Sequence, residues 1–181
     1  MPVDLMRDSA TTFPSDAVPT DTTALRVWFC KYQDLGAIAS VTSLRVLVVA
    51  GYPNATLEPI ASLGALEYLS LVHLPKVTDL GPLESLSSLR VLRLQTLPSW
   101  DSSGKVTEVS SLAPLAKLGD LRHLELFGVR PTSRSLAELE ACPSLESVRV
   151  SKYPNAEVLR FRAATEVSDA FAPGPGVADW H

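Results

Sequence analysis

The stretch from Leu66 to Leu89 reads LEYLSLVHLPKVTDLGPLESLSSL, and its spacing decides the fold. The first six residues follow L-x-x-L-x-L, and leucines then recur at every third position from Leu80 to the end of the stretch. Alternation in the first part is typical of a short strand, whereas a spacing of three suits a turn of 3₁₀ or α-helix. Because one such unit cannot bury its own leucines, the stretch predicts similar units on either side.

The pattern does recur along most of the chain. Its first leucines, here called anchors, are separated by 19, 22, 23, 32 and 24 residues and lie at Leu25, Leu44, Leu66, Leu89, Leu121 and Leu145. Prolines share one column just ahead of the predicted turn, where a missing N–H is tolerated: Pro59, Pro82 and Pro114. The 32-residue interval requires an insertion, which we place near residues 99–108.

These residues resemble the leucine-rich-repeat family, and within it the bacterial internalin-type repeats of about 22 residues. The resemblance covers about residues 24–150. It implies an α/β fold, a right-handed and curved solenoid with short parallel strands on the concave side and 3₁₀ or short α turns on the convex side. The property common to the family is recognition of proteins on the concave sheet.

The chain departs from the family in one column, which usually holds Asn or Cys. We expect apolar packing there instead, because the column reads Tyr52, Leu74, Leu97, Val129 and Tyr153.

The expected organisation has three parts. Residues 24–156 form the solenoid of about six repeats. Residues 1–23, rich in Thr, Asp, Ser and Pro, are either a disordered tail or a cap on the first repeat. Residues 157–181 are a C-terminal cap and tail, in which Trp180 either anchors to the body or stays loose.

Composition excludes several classes of protein. The net charge of −4 and pI near 5.4 disfavour nucleic-acid binding. No run of about 20 apolar residues predicts a membrane span, and the N-terminus does not resemble a signal peptide. Cys30 and Cys142 fall in distant repeats, roughly 20 Å apart by strand spacing, so we expect free thiols. These features together predict a cytoplasmic protein.

The side chains between the core leucines should line the concave face. The residues predicted to contact a partner there are Phe29, Val46, Val48, Tyr68, Arg93, His123, Glu125, Phe127 and Arg149. The N-terminal half of this face is apolar, so something should cover it. Residues 1–23 folding back, a second copy of the chain and a partner protein are the three alternatives.

Charge gives a finer hypothesis. Basic residues outnumber acidic ones in the strand segments although the whole chain is acidic, which favours a partner with an acidic surface. Arg93, Glu125 and Arg149 should stand side by side at about 5 Å intervals, as a plain charge ladder or as a polar rim of the binding site. In the insertion, Trp100 and Asp101 are a second candidate site, since loops on rigid scaffolds often carry function.

Catalysis is not expected. His123 and Ser147 should be lateral neighbours with Glu125 close by, but flat adjacent strands offer neither an oxyanion hole nor an enclosed pocket. The histidines lack metal-ligand spacing, and no motif indicates a cofactor. The sequence therefore favours a protein–protein interaction module. Two alternatives remain: a bacterial immunity protein or antitoxin that inhibits a toxin by occlusion, and a self-associating structural protein.

Overall fold

Parallel strands dominate the computed structural model, which describes residues 1–178 and 180. The strands are β1 (Pro2–Met6), β2 (Ala24–Trp28), β3 (Val46–Ala50), β4 (Tyr68–Val72), β5 (Val91–Gln95), β6 (Thr107–Val109), β7 (His123–Phe127), β8 (Val129–Pro131) and β9 (Ser147–Val150). Seven of them form one sheet in the order β1-β2-β3-β4-β5-β7-β9, and β6 pairs with β8 in a small second sheet. Asp179 and His181, part of the predicted C-terminal tail, lie outside the described residues.

Short helical turns return the chain between strands. The α-helices of the described residues are α1 (Glu58–Ala61), α2 (Pro98–Ser103) and α3 (Asn155–Ala164). The 3₁₀ turns within the described residues span Ser15–Ala17, Gly36–Ser40, Gly81–Ser85, Ala113–Lys117 and Ala137–Ala141. Pro59, Pro82 and Pro114 each occupy the first or second position of a turn, as the sequence predicts.

The core is a stack of leucines from successive repeats. Leu69 pairs in register with Leu92, and Leu92 with Leu124; none of the three is more than 1% exposed. The turns contribute further columns that are fully buried, among them Leu57, Ile60 and Leu63. Each column continues through the molecule because the parallel register is maintained from strand to strand.

The first repeat corrects one prediction. Leu25 pairs with Leu47, not with the anchor Leu44. The first two repeats are therefore separated by 22 residues rather than 19. Val27 therefore points into the core, where it is 3% exposed, and Phe29 falls beyond the end of β2. The buried residue in the anchor column of the first repeat is Thr22. Because its side chain is polar, the leucine pattern does not reveal where this repeat begins.

Residues 1–23 supply one more repeat. β1 pairs with β2 in the same register, with Val3 opposite Leu25 and Leu5 opposite Val27. Behind the strand, Phe13 is buried edge-to-face against Tyr32, with ring centroids 5.6 Å apart. This segment closes one end of the core.

The insertion after β5 forms α2, which ends at Gly104 in a left-handed conformation, and then β6. The column that the family fills with Asn or Cys is apolar as expected. Tyr52, Leu74, Val129 and Tyr153 are all at most 8% exposed, and Leu97 is half-buried. Both cysteines are free and partly buried.

Candidate binding face of the sheet

The side of the main sheet that faces away from the leucine core is here called the strand face. The strand pairing gives its three columns: first Ala24, Val46, Tyr68, Val91, His123 and Ser147; second Arg26, Val48, Ser70, Arg93, Glu125 and Arg149; third Trp28, Ala50, Val72, Gln95 and Phe127. The structure thus brings together every predicted contact residue except one. Phe29 was wrongly assigned to this face.

Phe29 lies at the end of β2 with a positive φ of 50° and is 41% exposed. Its ring stacks edgewise on Trp28, with the centroids 5.5 Å apart. Arg26 and Trp28 occupy the second and third columns, and neither was among the predicted contact residues. Alignment of the first two repeats at an interval of 22 residues instead of 19 places both of them on the strand face.

A buried carboxylate organises the polar half of the face. Glu125 is 0% exposed, and its Oε2 accepts a hydrogen bond of 2.6 Å from Arg93 Nε and one of 3.4 Å from Gln95 Nε2. Arg93 Nη1 also donates to the Tyr68 hydroxyl at 3.3 Å. Burial alone would lower the pKa of Arg93, but its bonds to Tyr68 and Glu125 outweigh burial and raise it.

The predicted charge ladder forms only in part. Arg149 does pair with Glu125 in the backbone register, but its guanidinium lies 3.4 Å from Asp169 and 3.6 Å from the centroid of the Phe171 ring. Arginine can bind a carboxylate and an aromatic face because its charge is planar and delocalised. The partners of Arg149 come from the C-terminal segment, not from the neighbouring strand.

His123 and Ser147 are lateral neighbours, as the register predicts. His123 Nδ1 lies 2.8 Å from Ser147 Oγ, and Ser147 is 2% exposed. The carboxylate of Glu125 is bound to Arg93, and the other acid near His123 is Glu146, at 4.0 Å. The hydrogen bond is part-buried, and the Ser147 hydroxyl lies on its buried side.

The C-terminal segment, residues 168–178 and Trp180, lies across the strand face and is here called the strap. The indole of Trp180 is 7% exposed and packs in one cluster with Ala24, Val48, Tyr68 and Val91. Of the alternatives drawn from the sequence, the one in which residues 1–23 fold back over the apolar half is therefore wrong. Residues 1–23 do not reach the apolar half because their strand β1 pairs with β2 at the end of the sheet.

The third column stays accessible beside the strap. Trp28, Val72, Gln95 and Phe127 are half-buried, and this set is here called the open row. A hollow of about 230 Å³ lies between the row and Trp180. A second hollow of about 310 Å³ continues from Gln95 past Phe127 to Asp101.

The insertion forms one wall of the second hollow. Asp101 Oδ1 lies 3.4 Å from Lys152 Nζ, which also donates to the Asp101 carbonyl at 2.9 Å. The Trp100 ring lies edge-to-face on His73, with centroids 5.0 Å apart. Trp100 and Asp101 thus fix α2 to the body of the repeat stack, and α2 borders the strand face.

The basic residues of the strands are largely paired with carboxylates. Arg26 Nη2 lies 2.5 Å from Asp4, and corresponding pairs join Arg45 and Arg90 to Glu67 and Arg122 to Glu146. Ion pairs reduce the net field of the face, so the excess of basic residues in the sequence overstates its positive charge.

The described residues contain no group of three or more His, Cys, Asp or Glu side chains placed to hold a metal ion. Among the helices of this part of the chain, none has the length and apolar character needed to cross a membrane.

Comparison with known proteins supports the fold. No protein-family model matches the chain, and no curated protein matches it. Its solved structural neighbours include internalin C2 from Listeria monocytogenes, with a TM-score of 0.56, 24% identity, 73% of this chain covered and 53% of that one. Another neighbour is an internalin (inlF) from the same organism, with a TM-score of 0.49, 13% identity and coverages of 82% and 47%.

The chain spans about half the length of these two structures. The likeness to internalin C2 and the stacked parallel strands confirm an α/β leucine-rich-repeat solenoid.

Proposed function

We propose that this leucine-rich-repeat solenoid is a protein-interaction module that binds its partner along the open row of the strand face. The observation that carries the proposal is the row itself, in which aromatic and apolar side chains remain partly exposed and two hollows meet at Gln95. Aromatic residues in partly formed pockets are the usual anchors of protein interfaces. The fold supports this use, since solenoids present extended surfaces to their partners.

Exposed apolar side chains extend beyond the open row. Met6 is 51% exposed and Phe29 41% exposed, and both lie just past the ends of their strands. They extend the apolar character of Trp28 toward the N-terminal edge of the sheet. Phe29 thus keeps a place in the proposed interface, at its border rather than in a strand column.

An acidic partner, self-association of the chain and inhibition of a toxin are narrower proposals. A partner with an acidic surface would have to compete with the carboxylates that pair with Arg26 and Arg149. Self-association through the apolar half-face would require the strap to leave it. Inhibition of a toxin by occlusion in a bacterial cytoplasm is one specific form of the proposal, and a toxin gene beside this one would favour it.

A site-specific cross-linking experiment tests the proposed face. Phe127 is replaced by photo-reactive benzoyl-phenylalanine in the full chain, which is then irradiated in the cells that naturally produce it. We expect one discrete covalent adduct, lost when Trp28→Ala is added. The matched control carries the same photo-reactive residue at Leu159, which is 70% exposed on α3, away from the sheet. Adducts of equal yield at both positions would contradict the proposal.

A further inference from the structure

The strap begins as an addition to the sheet. Ser168 forms a parallel bridge with Ser147 at the edge strand β9, and its amide donates to the Glu146 carbonyl at 2.9 Å. Arg162 of α3 donates to the carbonyls of Val167, Ser168 and Val148, which fixes the starting direction of the segment. The strap thus leaves the last repeat directly over the strand face.

Two contacts then anchor its first half. The Phe171 ring lies under the guanidinium of Arg149, and the Ala172 amide donates to Glu125 Oε1 at 2.9 Å. Glu125 thereby uses one oxygen for Arg93 and the other for the strap. A backbone N–H on a buried carboxylate is a charge-assisted hydrogen bond, which is stronger than a neutral one.

The second half is anchored mainly by Trp180, and Val177 packs against the same apolar cluster. Trp180 packs on Val48, Tyr68 and Val91, and the guanidinium carbon of Arg26 lies 5.2 Å from the centroid of its ring. The distance from β9 to β3 is four strand spacings, roughly 19 Å. The nine Cα–Cα steps from Phe171 to Trp180 reach up to roughly 30 Å, so the chain length suffices with a turn at its end.

The middle of the strap is weakly held. Its sequence is Pro173-Gly174-Pro175-Gly176, and two of these four residues have no N–H to donate. Among the described residues, no backbone hydrogen bond joins positions 173–178 to the sheet. The segment is therefore a short extended peptide held at its ends by aromatic side chains, like a bound ligand.

We propose that the apolar half of the strand face is a binding site for an extended, tryptophan-bearing peptide segment of a partner protein, and that the strap occupies this site in cis. The partner segment replaces Trp180 over Val48, Tyr68 and Val91. Because the strap is tethered, it competes at a high effective concentration and lowers the apparent affinity of any segment offered from outside. This inference rests on the proposed function, since it takes the same face as the binding surface.

Peptide binding to the full-length chain tests the inference. The probe is a fluorescein-labelled synthetic peptide with the sequence of residues 168–181, titrated by fluorescence anisotropy. We expect the Trp180→Ala chain to bind it at least about tenfold more tightly than the unaltered chain does, since the tethered competitor is weakened. Trp180→Phe, which keeps an aromatic ring in the strap, should fall between the two.

Matched controls separate the site from a general effect of altering the chain. Leu159→Ala removes an exposed apolar side chain of α3, away from the sheet, and should leave peptide binding as in the unaltered chain. A peptide carrying Trp180→Ala should not bind any of the chains. Equal affinity of all chains for the peptide, or equal binding of both peptides, would overturn the proposal.

Light scattering supplies the remaining outcome. A monomeric unaltered chain agrees with a strap that folds back on its own sheet. A dimer that becomes monomeric in the Trp180→Ala chain would show exchange of straps between two copies and would overturn the cis arrangement. The two hypotheses fail separately. Tight peptide binding without adducts at Phe127 would support the strap site and contradict the proposed function. Adducts at Phe127 without peptide binding would support the proposed function and contradict the strap site.

Discussion

Residues with positive φ terminate the strands in a repeating column. The column contains Arg7, Phe29, Gly51, His73, Gly128 and Lys152, with φ between 50° and 81°. A left-handed conformation costs roughly 1–2 kcal/mol for a residue with a side chain, yet four of these six are not glycine. The turn geometry that links each strand to the next repeat therefore overrides local preference.

The two glycines of this column differ in their surroundings, which gives a residue-scale prediction. A Cβ at Gly128 would lie 2.2 Å from Thr96 Oγ1, whereas at Gly51 its nearest neighbour would be Phe29 Cδ1 at 3.7 Å. We expect Gly51→Ala to lower the free energy of unfolding by about 1 kcal/mol. Gly128→Ala should lower it by about 3 kcal/mol, because the overpacking is added. Urea denaturation measures both, and equal losses would contradict the prediction.

At the scale of elements, the insertion helix α2 acts as a cover for one histidine. His73 Nδ1 is buried without a hydrogen-bond partner beneath Trp100, and Lys105 Nζ lies 5.8 Å from the centroid of the same indole. Burial lowers the pKa of His73 below its ordinary value. The folded chain thus favours the neutral imidazole.

A pH-dependent stability follows from this cover. Since the unfolded chain binds the proton more readily, His73 should reduce the free energy of unfolding as pH falls below about 6.5. Trp100→Ala exposes the ring, so its pKa should rise toward the ordinary value and this part of the pH dependence should shrink. NMR titration of the His73 ring in both chains measures the shift. His73→Asn, which tolerates positive φ, removes the titration and serves as the control.

The strap is the other element whose placement depends on distant residues. Its sequence shows only Pro and Gly between two aromatic side chains. What holds it is a carboxylate in β7 and an apolar cluster from four strands, which no local pattern reveals. This explains why Trp180 remained undecided from the sequence.

At the scale of the whole molecule, the stack of repeats is stabilised most strongly at its centre. Leu69 is 0% exposed and packed between repeats on both sides, whereas Leu5 lies in the edge strand β1 and is only partly buried. Each repeat contacts mainly its neighbours, so an end residue has half of the usual partners.

Equivalent substitutions at the two positions should differ accordingly. We expect Leu69→Ala to lower the free energy of unfolding by about 3–4 kcal/mol, and Leu5→Ala by about 1 kcal/mol. Guanidinium denaturation followed by circular dichroism gives both values. If Leu5→Ala proved as costly as Leu69→Ala, the N-terminal repeat would have to be part of the central folding unit.

The sequence by itself determined the fold, because apolar spacing within a repeat is a local property that reappears in every unit. The spacing of Leu66 to Leu89, repeated along the chain, predicted the strands β2 to β5, β7 and β9, the turns that follow them and the shared core, whereas β1, β6 and β8 were not predicted. It also placed eight of the nine predicted contact residues on one face. It failed where a polar residue fills an apolar column, as Thr22 does, since the period then has no local marker.

Only the tertiary structure decided which part of that face is open. The strap covers part of the face, and Glu125 binds both Arg93 and the Ala172 amide. These contacts, like the hollows along the open row, bring together residues far apart in the chain. Such contacts depend on where the C-terminal segment leaves the last repeat and on which side chains it meets. These are long-range packing choices, and periodicity within a repeat carries no information about them.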